Sequence, residues 1–70
     1  MEKIKQEIEL LKYGFKTFNF IISDSTNLSF KSFANMIENY SESLQAKEIA
    51  KTFRKYKGVI SKNEIIIDSI

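Results

Sequence analysis

Apolar residues recur at helical spacing in three stretches of this chain. Ile4, Ile8, Leu11, Phe15 and Phe18 alternate by four and three, as the buried stripe of a helix does. Glu2, Lys3, Lys5, Gln6, Glu7, Glu9 and Lys12 fall off that stripe and are expected in water. Gly14 costs such a helix about 1 kcal/mol relative to alanine, so its presence is expected to mark close packing. Beyond it, Phe20, Ile21 and Ile22 give way to the polar run Ser23 to Asn27, which reads as a helix fraying into a loop with the isoleucines tucked beneath. Phe33, Met36, Ile37 and Tyr40 then predict a second helix from about Phe30 to Tyr40, with Ser29 placed to cap it. Ser41-Glu42-Ser43 breaks the pattern, and either serine can cap the next helix. Leu44, Ile49, Ala50, Phe53 and Tyr56 define that third helix, studded with Lys47, Lys51, Arg54 and Lys55. Gly58 stands where a left-handed residue commonly ends a helix.

One joint occurs twice. Leu28-Ser29 leads into the second helix, and Ile60-Ser61 repeats the aliphatic–serine step about half a domain later, with Glu64 three places beyond Ser61 as in a capping box. The repetition predicts two helix–loop–helix units. Residues 64–70 read either as a short fourth helix begun by that box or as a β-strand. The strand reading rests on the β-branched run Ile65-Ile66-Ile67 and pairs it with Val59–Ser61 across Lys62-Asn63. The clear helix after the first joint favours helix.

Seventy residues allow one domain and a small core, since a chain of this size buries only about 60% of its extended surface. At 43% hydrophobic and 29% charged residues the composition is that of a globular fold and argues against disorder. There is no cysteine and no histidine, which excludes disulfides, zinc sites, thiol nucleophiles and histidine acid–base chemistry together. No run approaches the roughly 20 apolar residues of a membrane span. No titratable pair sits beside a nucleophile in an apolar setting, so no enzyme activity, cofactor or metal is expected. The net charge of +2 is small for a nucleic-acid binder.

Phe15-Lys16-Thr17-Phe18-Asn19 is similar to the F-x-x-F-D at the end of an entering helix in the EF-hand superfamily of calmodulin and the myosin light chains. Thr26-Asn27-Leu28-Ser29-Phe30-Lys31-Ser32-Phe33 is similar to the G-x-I-x-x-x-E-F that opens the exiting helix, and Gly58-Val59-Ile60-Ser61-Lys62-Asn63-Glu64-Ile65 repeats it. The resemblance implies an all-α EF-hand-like pair, unit 1 over about 1–40 and unit 2 over about 43–70, with Leu28 and Ile60 joining the loops in a short β-bridge. The calcium loops depart from the family pattern. The first offers Asn19, Ser23, Asp24, Ser25 and Asn27, is about two residues too long, and has Ser32 where a bidentate glutamate belongs. The second keeps Gly58 and Glu64 but is short and carries Arg54, Lys55 and Lys57, which repel a cation. Asp24 by itself reads as a cap or turn residue. The resemblance therefore implies a lobe without calcium, most like the N-terminal lobe of a myosin essential light chain, beginning at Met1 and followed by a second lobe. Its implied work is to clamp and stiffen the amphipathic IQ-motif helix of a myosin heavy-chain neck, in the cytoplasm and on the cytoskeleton.

Met36, Ile37, Tyr40, Ile49 and Phe53 are the candidate partner-binding residues, lining a groove that takes the helix; each reads first as an ordinary core position at helical spacing. The basic run Lys47, Lys51, Arg54, Lys55 and Lys57 reads first as a solvated face. The alternative is a small nucleic-acid-binding or regulatory helix-turn-helix protein, in which this run meets phosphates and Ser41-Glu42-Ser43 forms the tight turn.

Overall fold

Three helices and three strands make up the computed structural model, which describes residues 2–22, 27–62 and 64–69. Helix α1 (Glu2–Phe18) runs into a single 3-10 turn (Asn19–Ile21). Strand β1 (Asn27–Ser29) leads directly into α2 (Phe30–Tyr40), and α3 (Leu44–Lys55) is followed by β2 (Lys57–Ser61) and β3 (Glu64–Ser69). The expected stretch Ser23 to Thr26, with the Asp24 turn and most of the first calcium-loop oxygens, lies outside the described residues.

Local chemistry explains both later helix starts. Ser29 and Ser43 have extended backbones, and each side-chain oxygen accepts the N–H three residues on, from Ser32 and Ala46. Each cap contributes about 1 kcal/mol by satisfying an otherwise orphan donor. Helix α2 ends as predicted at Tyr40, with the Ser41 N–H returning to the Ile37 carbonyl.

The architecture is a mixed α/β domain, which corrects the expected all-α EF-hand pair. Residues 64–69 form a strand and not a fourth helix, so a second helix–loop–helix unit does not exist. The sheet is antiparallel in the order β1-β2-β3. Leu28 does lie opposite Ile60, but within a three-stranded sheet and not an isolated bridge. The physical reason is the run Ile65-Ile66-Ile67: β-branched side chains lose little on a pleated surface, and alternate residues turn inward against the core. Ile60 pairs with Ile65, Val59 with Ile66 and Ser61 with Glu64, while Lys62 adopts φ 52°, the left-handed backbone that primed hairpin turns require. The expected capping box is therefore absent. Ser61 Oγ instead donates to Asn27 Oδ1 across the sheet at 2.7 Å.

Neither glycine ends a helix. Gly58 has no positive φ and lies buried within β2, where a Cβ would meet the Phe30 ring at 2.5–2.7 Å and run into the Ile66 carbonyl. Gly14 is the close contact between helices: a Cβ there would overlap Ile49 Cγ2 and stand 3.2 Å from Phe53 Cε2.

The core lies between the helices and one face of the sheet. Leu11, Phe30, Phe33, Ile37, Ile49, Phe53 and Ile60 are its largest fully buried side chains. Phe53 is the hub, with edge-on contacts to Phe30 at 5.0 Å and Phe33 at 5.1 Å between ring centroids. Such geometry adds about 0.5–1.5 kcal/mol per pair beyond area burial. No helix among the described residues is long and apolar enough to cross a membrane.

Candidate functional site

The core places three of the five residues expected to line a groove out of reach. Ile37, Ile49 and Phe53 are fully buried, packed against α1, the sheet and each other. Met36 is half-buried. Only Tyr40 is open, at 59% exposure, with Phe18 and Phe20 edge-on to its ring. At these three positions helical apolar spacing marks packing, because a chain this short needs such residues for its core.

What the fold does build is a pair of packed helices joined by a short turn. Helices α2 and α3 share the most extensive helix–helix contact of the molecule and are joined by three residues. The turn is fastened by its serines. Ser41 Oγ accepts the Ser43 N–H at 3.3 Å and donates to Ser43 Oγ, which caps α3. Both serines belong to the tripeptide at which the helical pattern of the sequence breaks.

Helix α3 buries Ala46, Ile49, Ala50, Thr52 and Phe53 and so turns Leu44, Lys47, Glu48, Lys51, Arg54 and Lys55 outward. Thr52 satisfies its buried hydroxyl by donating to the Glu48 carbonyl at 2.9 Å. Among the described residues Leu44 is the most open large apolar side chain, at 81% exposure, on the first turn of α3. Beside it Gln45 Nε2 donates to Tyr13 Oη on α1. Residues 44–57 hold five cations and one carboxylate, a net of +4, so the remainder of the chain is net −2. The small overall charge thus hides a concentration of cations along this segment of the chain.

Two of these cations are anchored. Arg54 donates to Glu38 and, at 2.7 Å, to Asn35, both on α2. Lys55 donates to Glu7 of α1 at 2.8 Å, and the Tyr56 hydroxyl donates to the other oxygen of the same carboxylate. The Lys55 bond first, then that from Tyr56, holds the Glu7 carboxyl below the usual carboxylate range. Hydrogen bonding to Glu7 in turn raises the Lys55 ammonium and the Tyr56 phenol above their ordinary values, with burial adding to the latter. Lys47 and Lys51 have no ion-pair partner among the described residues. The outer face of α3 therefore presents free charge at its middle and fixed charge at its C-terminal end.

The basic run is legible in the sequence, whereas Leu44 and Gln45 are not, since their exposure follows from the register of α3 against the core. Among the described residues no three metal-ligating side chains converge. Compared with known proteins, the chain matches no family model, no curated protein and no solved structure.

Proposed function

We propose that this protein binds duplex nucleic acid through the α2–α3 pair, with α3 lying in the major groove and α2 crossing the backbone as in a helix–turn–helix. The observation that carries the reading is the three-residue capped turn, which sets α3 against α2 with Lys47 and Lys51 exposed on its outer face. Lys47 and Lys51 supply phosphate contacts. Leu44 and Gln45, on the first turn of α3, stand where base edges are read in this motif. The sheet packs on α2 through β1 and β2, and α2 in turn packs on α3. The partner-helix reading requires an all-α lobe with an open apolar groove. With residues 64–69 in the sheet and Ile37, Ile49 and Phe53 in the core, that reading has no support in the fold.

Fluorescence anisotropy of a labelled duplex, titrated at several salt concentrations, tests the proposal. Non-specific binding of about 10⁻⁴–10⁻⁶ M is expected near physiological salt, tightening steeply as salt falls. Lys47→Gln and Lys51→Gln should each lower the slope of log K against log[salt] by about 0.9, the loss of one phosphate contact. No binding at about 50 mM salt, or variants with unchanged slope, would remove nucleic acid from the reading.

A further inference from the structure

A cleft of about 480 Å³ opens where the start of α2, the end of α3 and the β2–β3 ladder meet. Its size falls within the roughly 300–1,000 Å³ of small-ligand sites. The floor is closely packed, with Phe30 and Tyr56 both buried beneath the opening. Phe30 is wedged against Gly58, which has no side chain to displace it, and held edge-on by Phe53. Tyr56 has its hydroxyl tied to Glu7 on α1.

Charge lies around this floor with one sign in excess. Lys31, Arg54 and Lys57 come from three different elements and line the same opening, against a single carboxylate, Asp68. Arg54 is pre-positioned by Glu38 and Asn35, whereas Lys31 and Lys57 have no ion-pair partner among the described residues. Asp68 is there because of a register shift: Lys57 pairs with Ser69 and Gly58 with Ile67, leaving Asp68 as the extra residue of a β-bulge. Bulges re-aim a side chain and commonly sit beside functional sites. A closely packed floor with three cations from different elements around its opening is the chemistry that recognises an anion.

We propose that this cleft binds a small organic anion, its phosphate, sulfonate or carboxylate held by Lys31, Arg54 and Lys57. The site goes beyond nucleic-acid binding and does not depend on it. Because Arg54 belongs to both the cleft and α3, an occupant would sit against the end of the proposed reading helix.

The test uses 1-anilinonaphthalene-8-sulfonate as probe, followed by fluorescence and by backbone amide chemical shifts of the whole chain. Saturable binding is expected, with shifts at 29–31, 54–58 and 68. Its uncharged analogue N-phenyl-1-naphthylamine should bind more weakly. Lys31→Gln and Lys57→Gln, both surface changes, should each weaken the probe about two- to fivefold. Shifts centred instead on Phe20, Tyr40 and Leu44 would overturn the proposal, since the probe would then be on the exposed apolar patch. Equal binding of the uncharged analogue would also overturn it, as would duplex DNA shifting these residues while the probe does not. Loss of DNA binding alone leaves the probe's own result to decide, so failure of one reading is separable from failure of the other.

Discussion

Replacing Gly14 with alanine sets two effects of known sign against each other. In an exposed helix the change stabilises by about 0.8–1.0 kcal/mol, because glycine loses more backbone freedom on folding. Here the new methyl would overlap Ile49 Cγ2 and press on Phe53 Cε2 at 3.2 Å. Both neighbours are fully buried, so neither side chain can swing into solvent. Overpacking of this kind costs about 1–3 kcal/mol, which outweighs the propensity gain and leaves a net loss of about 1 kcal/mol. Urea unfolding followed by circular dichroism measures it as a lower midpoint at unchanged slope. Ile49→Leu supplies the control, since leucine carries no methyl on its β-carbon and the swap alone should cost less than about 1.5 kcal/mol. In that background Gly14→Ala should become neutral or stabilising, a coupling a double-mutant cycle isolates. A Gly14→Ala variant more stable than the parent by the full propensity gain would refute the close approach of α1 and α3.

Two further outcomes test the sheet and the α1 anchor. Ile60→Asp should unfold the domain, because it places an unpaired charge at a fully buried position between Leu28 and Ile65; a cooperative, helical variant would contradict the central place of β2. Glu7 has a depressed carboxyl, so its contribution is present above the unfolded carboxylate value and lost as pH falls through the folded one. Lys55 and Tyr56 are raised, so theirs are present below their ordinary values and lost as pH rises through the folded ones. Glu7→Gln should therefore lower mid-range stability and flatten both limbs of the stability–pH profile, and parallel profiles for variant and parent would show the cluster contributes nothing.

Much of this molecule follows from short-range pattern. The bounds of α2, its Ser29 cap and a serine cap from Ser41-Glu42-Ser43 are legible in the order of residues, because helix periodicity and capping act within one or two turns. The opposition of Leu28 and Ile60, by contrast, is implied only by the family resemblance. The same local logic misleads at Ser61-Lys62-Asn63-Glu64, where serine and glutamate three apart fit a capping box and the two ends of a hairpin equally well. Only pairing decides between them. A ladder formed with β2, itself held by β1, gives Ile65 and Ile67 a core face that a lone final helix would not have. Gly58 changes meaning for the same reason: its role is to make room for Phe30, a residue 28 positions earlier, and not to turn the chain.

Function divides along the same line. The basic run from Lys47 to Lys57 and the break at Ser41-Glu42-Ser43 can be read directly, as can the apolar stripe of α3. Which cations are free cannot, because Arg54 and Lys55 find their partners 16 and 48 residues away. Nor can the cleft, whose walls come from α2, α3, β2 and β3 and whose carboxylate is aimed by a bulge. Sequence alone determined the three helices and where charge would accumulate, since those properties depend on neighbours along the chain. Tertiary structure decided which apolar residues became core, which charges stayed unpaired and what shape they surround, since those depend on neighbours in space.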